Sequence, residues 1–169
     1  ATWNPQNQHY VIVTMDRFPA YDLYAWEFDA SWNLLSQHLL TGDGQWSQGL
    51  LWDGQRYFVA YHVGNEHRCG NVVVAAFDVD WNPLASVQLN AFASYPPPLG
   101  PGFVAQRPCL TRVGDSLFVS YDVDPYDYLG GTAVIGRKAW QAHVAVVRIG
   151  SVTGATPAAG PAPLRVFPV

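Results

Sequence analysis

Between Ser47 and Leu89 the hydrophobic positions fall into four short runs, GLLW, RYFVAYHV, NVVVAAFDV and LASVQL, separated by residues that turn the chain. Aromatic and β-branched side chains dominate these runs, which suits a pleated, half-buried surface and predicts strands. Trp52 to Gln55 (WDGQ) is a tight hairpin turn in which the Asp53–Gly54 pair supplies the positive φ. Asp80 to Pro83 (DWNP) is a second compact turn, and Val63 to Asn71 is a longer polar connection. The pattern predicts a four-stranded antiparallel meander.

The same unit recurs along the chain. LYAWEFDASWNLLSQHLL (23–40) aligns without a gap on VVVAAFDVDWNPLASVQL (72–89), so that Phe28, Asp29, Trp32, Asn33 and Leu35 meet Phe77, Asp78, Trp81, Asn82 and Leu84. LLWDGQRYFVAYHV aligns on LTRVGDSLFVSYDV, pairing Leu50, Gly54, Phe58, Val59 and Tyr61 with Leu110, Gly114, Phe118, Val119 and Tyr121. HYVIVTMD (9–16) and HVAVVRIG (143–150) are looser copies of the second and third strands. Repeats of about 40 to 50 residues, each a meander of this kind, are the mark of propeller blades.

On these repeats the chain resembles part of a β-propeller, broadly like the sugar-binding and glycoside-hydrolase propellers. No family motif narrows it further. There is no WD dipeptide closing a blade, no kelch double glycine and no true Asp-box, which TGDGQW (41–46) imitates with its glycine one position early. No catalytic residue is carried over. The expected architecture is all-β, with blades at about 3–40, 44–90 and 107–150 in one domain spanning 1–150. Residues 151–169 read as a linker rich in small residues, ending in a possible closing strand, LRVFPV. Three blades cannot close a ring, so a second copy, a different chain or more of a longer protein is expected to complete it. The alternative is a β-sandwich.

In a four-stranded meander, connections alternate between the two ends of the sheet. The first and third turns are short here: WDGQ, VGDS, FDASWN and FDVDWN. The second connections and the links between blades, at 16–22, 41–48, 63–71, 90–107 and 122–143, are long and gather at the other end, where binding groups are sought. Among the aromatic residues of these segments, Trp46, Tyr95, Phe103, Tyr126, Tyr128 and Trp140 are the candidate ligand contacts. Rings stack on the C–H faces of sugars while Asp, Asn and Arg take hydroxyls, so carbohydrate is the expected ligand. A protein interface is the rival use of the same residues. Trp32 and Trp81 repeat at a fixed place and are assigned to packing.

Asp16, His62 and Asp122 stand at or near matching strand ends and are expected either to ring the mouth of a channel or simply to be polar residues at strand ends. Asp122, Asp124 and Asp127 in DVDPYD offer oxygen ligands to calcium, or form a solvated acidic turn. Otherwise no cofactor is expected. Hydrolysis of a glycoside needs two carboxyl groups, about 5 Å or about 6.5–9.5 Å apart. Glu27 and Glu66 are the two glutamates, Glu27 within a strand and Glu66 in a loop, so an enzymatic alternative would pair Glu66 with Asp16 or Asp122. A serine nucleophile lacks both GxSxG and a histidine with an evident acidic partner.

The formal charge of −4 and the single lysine, Lys138, give no field for phosphates, which argues against nucleic acid. No apolar run approaches the roughly 18 residues of a membrane helix. A start at Ala1 with no visible signal peptide fits a processed secreted or periplasmic protein, or equally a trimmed chain. Cys69 and Cys109 belong to the same end of adjacent blades, where they would be bridged in an oxidising compartment or remain as two buried thiols. The expected partners are carbohydrate or protein, with a homo-oligomer or hetero-complex completing the ring.

Overall fold

The computed structural model describes residues 1–16, 22–42, 44–65, 69–90, 101–129, 132–133, 141–149 and 165–167. It describes side chains for 1–16, 22–42, 49–63, 71–90, 107–123 and 142–149. Every regular element among the described residues is a β-strand, in three antiparallel meanders. The first runs β1 (Thr2–Asn4), β2 (His9–Met15), β3 (Leu23–Phe28) and β4 (Leu34–Thr41). The second runs β5 (Gly44–Trp52), β6 (Tyr57–Asn65), β7 (Cys69–Phe77) and β8 (Pro83–Gln88). The third has β9 (Pro101–Val113) and β10 (Ser116–Leu129), with β11 (Thr132–Ala133) paired to the far part of β10; β12 (Gln141–Arg148) and β13 (Arg165–Phe167) complete it. One parallel pairing, Gly70 with Val104, joins the second and third meanders. No described helix is long and apolar enough to cross a membrane.

The middle meander is covered on both faces. From β6, Tyr57, Val59 and Tyr61 pack with Val11, Leu23 and Ala25 of the first meander. The alternate residues Phe58 and Ala60 pack with Leu117, Val119 and Val147 of the third. This is why RYFVAYHV and NVVVAAF read as continuous apolar runs, whereas the outer strand β4, half in solvent, alternates. Burying a side chain such as Tyr57, Phe58 or Leu117 completely contributes about 1.5–3 kcal/mol. Gly49 is required where β5 meets β9, because a Cβ there would lie 2.9 Å from Leu110 Cγ and 3.0 Å from Ala60 Cβ.

The two FDxxWN copies form the same clasp. Asp29 Oδ1 accepts the backbone N–H groups of Ser31 and Asn33, and Asp29 Oδ2 accepts the Asn33 amide. Asp78 makes the same three bonds to Asp80 and Asn82. Each clasp holds its tryptophan, Trp32 or Trp81, at φ 65°, a left-handed conformation uncommon for so bulky a residue.

The short turns share one end, as expected. Gln6 donates to the Gly54 carbonyl at 2.8 Å, and the Arg112 guanidinium donates to the Asp53 carbonyl at 2.8 Å, linking all three meanders there. Three expected loops are partly strand instead. β4 and β5 extend into 41–48, β9 takes up 101–107, and β10 and β12 take up 122–129 and 141–143 of the long insertion. The segment 90–107 was expected as a loop, yet from Pro101, at a first position where a strand tolerates the missing N–H, it is strand β9.

Candidate functional site

Among the described residues β12 pairs with β10 as far as Val123–Gln141, and β9 and β10 continue past it as a paired ribbon through Pro125–Phe103 and Tyr126–Gly102 to Asp127–Pro101. This ribbon leaves the end of the sheet opposite the short turns. At its base a bulge sets Arg107 and Pro108 against the single residue Tyr121. Arg107 has φ 54°, a conformation that costs a non-glycine residue about 1–2 kcal/mol. The bulge carries the Arg107 guanidinium to 3.4 Å from Asp122 Oδ2, with both side chains partly exposed. The pair sets a fork of N–H donors beside a carboxylate acceptor.

Asp122 was expected here, but Arg107 was not. Its signal in the sequence is an Arg-Pro step inside an otherwise strand-like run. His62 holds the register position in β6 that Asp122 holds in β10, yet it is fully buried, because its face of the middle meander is turned to the third. Asp16 is exposed, and its backbone N–H donates to the Asp22 carbonyl at 2.8 Å. Nearby, the Tyr24 hydroxyl donates to Asp22 Oδ2; burial first, then that bond and the charges of Asp22 and Asp16, push the phenol upward.

The side chains of Trp46, Phe103, Asp124, Tyr126, Asp127 and Tyr128, and all of Glu66, Tyr95 and Trp140, lie outside the described residues. The backbone of DVDPYD is extended strand within β10, rather than the loop expected to offer oxygens to calcium. Among the described residues no group of three or more His, Cys, Asp or Glu is placed to hold a metal ion. Cys109 is an exposed free thiol, and the Cys69 side chain lies outside the described residues.

A second polar cluster lies between the first and second meanders. Glu27, 8% exposed, accepts the Ser36 hydroxyl at 2.8 Å and, from the second meander, the Trp81 indole N–H at 3.1 Å. His9 Nδ1 and His38 Nε2 lie 3.6 and 3.8 Å from its Oε2. Asn4, also buried, donates to the Tyr57 hydroxyl at 2.6 Å, and burial is the main cause pushing that phenol upward. Ser36 Oγ and His38 Nε2 are 2.9 Å apart, so a serine, a histidine and a glutamate adjoin. They do not form a nucleophilic triad. A triad orients its histidine through the nitrogen that does not face the serine. Here serine and glutamate both approach Nε2, and the serine hydroxyl bonds the carboxylate directly. Glu27 therefore fastens two sheets.

The two repeated tryptophans diverge. Trp81 is buried, stacked on Tyr57 at 4.2 Å, and packs as expected. Trp32 is stacked on Tyr10 at 4.6 Å but is 57% exposed, on the outer face of the first meander. No family model, curated protein or solved structure matches this chain.

Proposed function

We propose that this chain is a non-catalytic recognition module, three blades of a β-propeller whose ring another copy or chain completes, binding carbohydrate at the end where the long connections gather. The observation that carries the reading is the Arg107–Asp122 pair, held by a strained bulge at the base of the ribbon on which Phe103, Tyr126 and Tyr128 stand. Rigid strands set the charged fork, and neighbouring positions on the same ribbon supply aromatic residues for stacking. Backbone strain retained at such a place marks a position held for use.

The test is a glycan array followed by calorimetric titration of any sugar it identifies, with wild type, Arg107→Ala and Asp122→Asn. Each substitution should weaken binding at least tenfold while leaving thermal unfolding within a few degrees of wild type. A blank array, or binding indifferent to both substitutions, would remove the reading. Service as a subunit of a protein assembly is a second reading, favoured by the uncovered rings of the first meander.

A further inference from the structure

The first meander displays on its outer face a set of four rings that the second meander keeps at an interface. In the second, Trp52 lies 4.6 Å from Tyr57 at 49°, Tyr57 stacks on Trp81 at 4.2 Å and 5°, and Phe77 lies 5.9 Å from Trp81 at 49°. In the first, Trp3 lies 4.6 Å from Tyr10 at 54°, Tyr10 stacks on Trp32 at 4.6 Å and 5°, and Phe28 lies 6.0 Å from Trp32 at 50°. The strand register is the same as well: Trp3 pairs with Tyr10 and Tyr10 with Phe28, as Trp52 pairs with Tyr57 and Tyr57 with Phe77.

What differs is the cover. The second set packs against Val11, Leu23 and Ala25 and bonds Glu27, leaving Tyr57 fully buried and Trp81 6% exposed. In the first set Trp32 is 57% and Trp3 38% exposed. The face that packs on the next meander is the opposite side, bearing Val11 in the first, where it covers the rings of the second, and Phe58 in the second, where it covers Leu117, Val119 and Val147 of the third. In the third meander that side bears Phe118, at the same register position, and Val144; both are exposed, at 38% and 52%. The chain thus presents one open face of each kind.

We infer that two copies of this chain dock head to tail, the open face of the third meander of each lying on the four rings of the other's first meander. The inference rests on the blade reading above, since the contact repeats the packing of one meander on the next, seen twice within the chain, and the cover of four rings, seen between the first and the second. A second copy is the partner that carries both halves of the contact. A twofold arrangement satisfies both open faces at once, where a rotation that failed to close would leave a growing filament. Large apolar side chains exposed together on one face mark a contact surface.

Analytical ultracentrifugation of the full chain tests this. The wild type should sediment with the mass of two chains. Trp32→Glu and Phe118→Glu should each sediment as one chain, with the far-ultraviolet dichroism of wild type. An equimolar mixture of the two should regain the two-chain species, because each variant keeps the face that the other has lost. If Trp32→Glu does not fold, Leu39→Glu replaces it: Leu39 is 59% exposed and pairs with Tyr24 on the same sheet. A monomeric wild type overturns the inference. So does a Phe118→Glu variant that still dimerises, which would mean that the ring sets pair with each other, and so does a mass that climbs steadily with concentration. A two-chain species with no affinity for sugars would keep this inference and remove the recognition reading.

Discussion

Trp81→Ala and Trp32→Ala form a matched pair. Both tryptophans sit at φ 65° in the same Asp–Asn clasp and both stack on a tyrosine at 5°, so the backbone contribution of the change to alanine cancels between them. Trp81 also touches Phe77 and His38 and gives its indole N–H to Glu27 across the sheet interface. Truncating a buried tryptophan costs about 3–5 kcal/mol. Trp32 is 57% exposed and loses its ring contacts with Tyr10 and Phe28, together worth about 1–3 kcal/mol. The expected difference between the two variants is therefore about 2 kcal/mol. Urea unfolding followed by fluorescence measures it, with both substitutions placed in the Phe118→Glu background so that self-association does not enter the apparent stability. Unchanged slopes with a lower midpoint for Trp81→Ala would confirm a loss of native packing. Equal costs for the two substitutions would refute the claim that burial between the first two meanders, and not the turn itself, gives this tryptophan its value.

Glu27→Ala should cost about 2–4 kcal/mol in the same assay, because it strands the Trp81 N–H and leaves the Ser36 hydroxyl only His38, whereas Ser36→Ala should cost about 1 kcal/mol. Gly49→Val should lower the unfolding midpoint by an amount equivalent to about 1–3 kcal/mol, since its side chain would press on Leu110 and Ala60. Acid sensitivity follows from the clasps. The Asn33 side chain, then backbone N–H groups, hold the Asp29 carboxyl below its ordinary value. For Asp78 burial is the largest single influence and opposes ionisation, but the bonds from Asn82 and Asp80 together outweigh it and the carboxyl is again lowered. A folded value below the unfolded one contributes stability above about pH 4 that is lost as the pH falls through the folded value. Asp29→Asn with Asp78→Asn should therefore be less stable at neutral pH, and its unfolding midpoint should fall less steeply on acidification than that of wild type.

The strands and the repeat were legible because each depends on neighbours in sequence: alternation within a run, Gly54 in a turn, and the spacing of Phe, Asp, Trp and Asn in the FD copies. The purpose of that last motif was legible only in part. Asp29 and Asp78 hold their own turns, and the two tryptophans part company because one meets another sheet and the other does not. Spacing could not show the role of Glu27, whose indole partner lies 54 positions away. Nor could it show Arg107, which reaches Asp122 only because a bulge shifts the register of β9 against β10. His62 and Asp122 match in alignment, yet a strand position does not reveal whether its face will be covered. The strand at 101–106 was hidden in a segment read as a loop between blades, where Pro101 weighs less against a strand because it is the first residue, and that at 124–129 in a segment read as an insertion.

Because the inner strands β6 and β7 of the middle meander are paired on both edges and covered on both faces, their amide protons meet solvent chiefly when a neighbouring meander lifts away. Deuterium uptake in β6 and β7 should accordingly be the slowest in the molecule, and it should quicken outward toward β4 and β12. A chain built this way melts from its flanks and keeps its centre longest, so the sheet least visible from outside is the one that sets how long the whole endures.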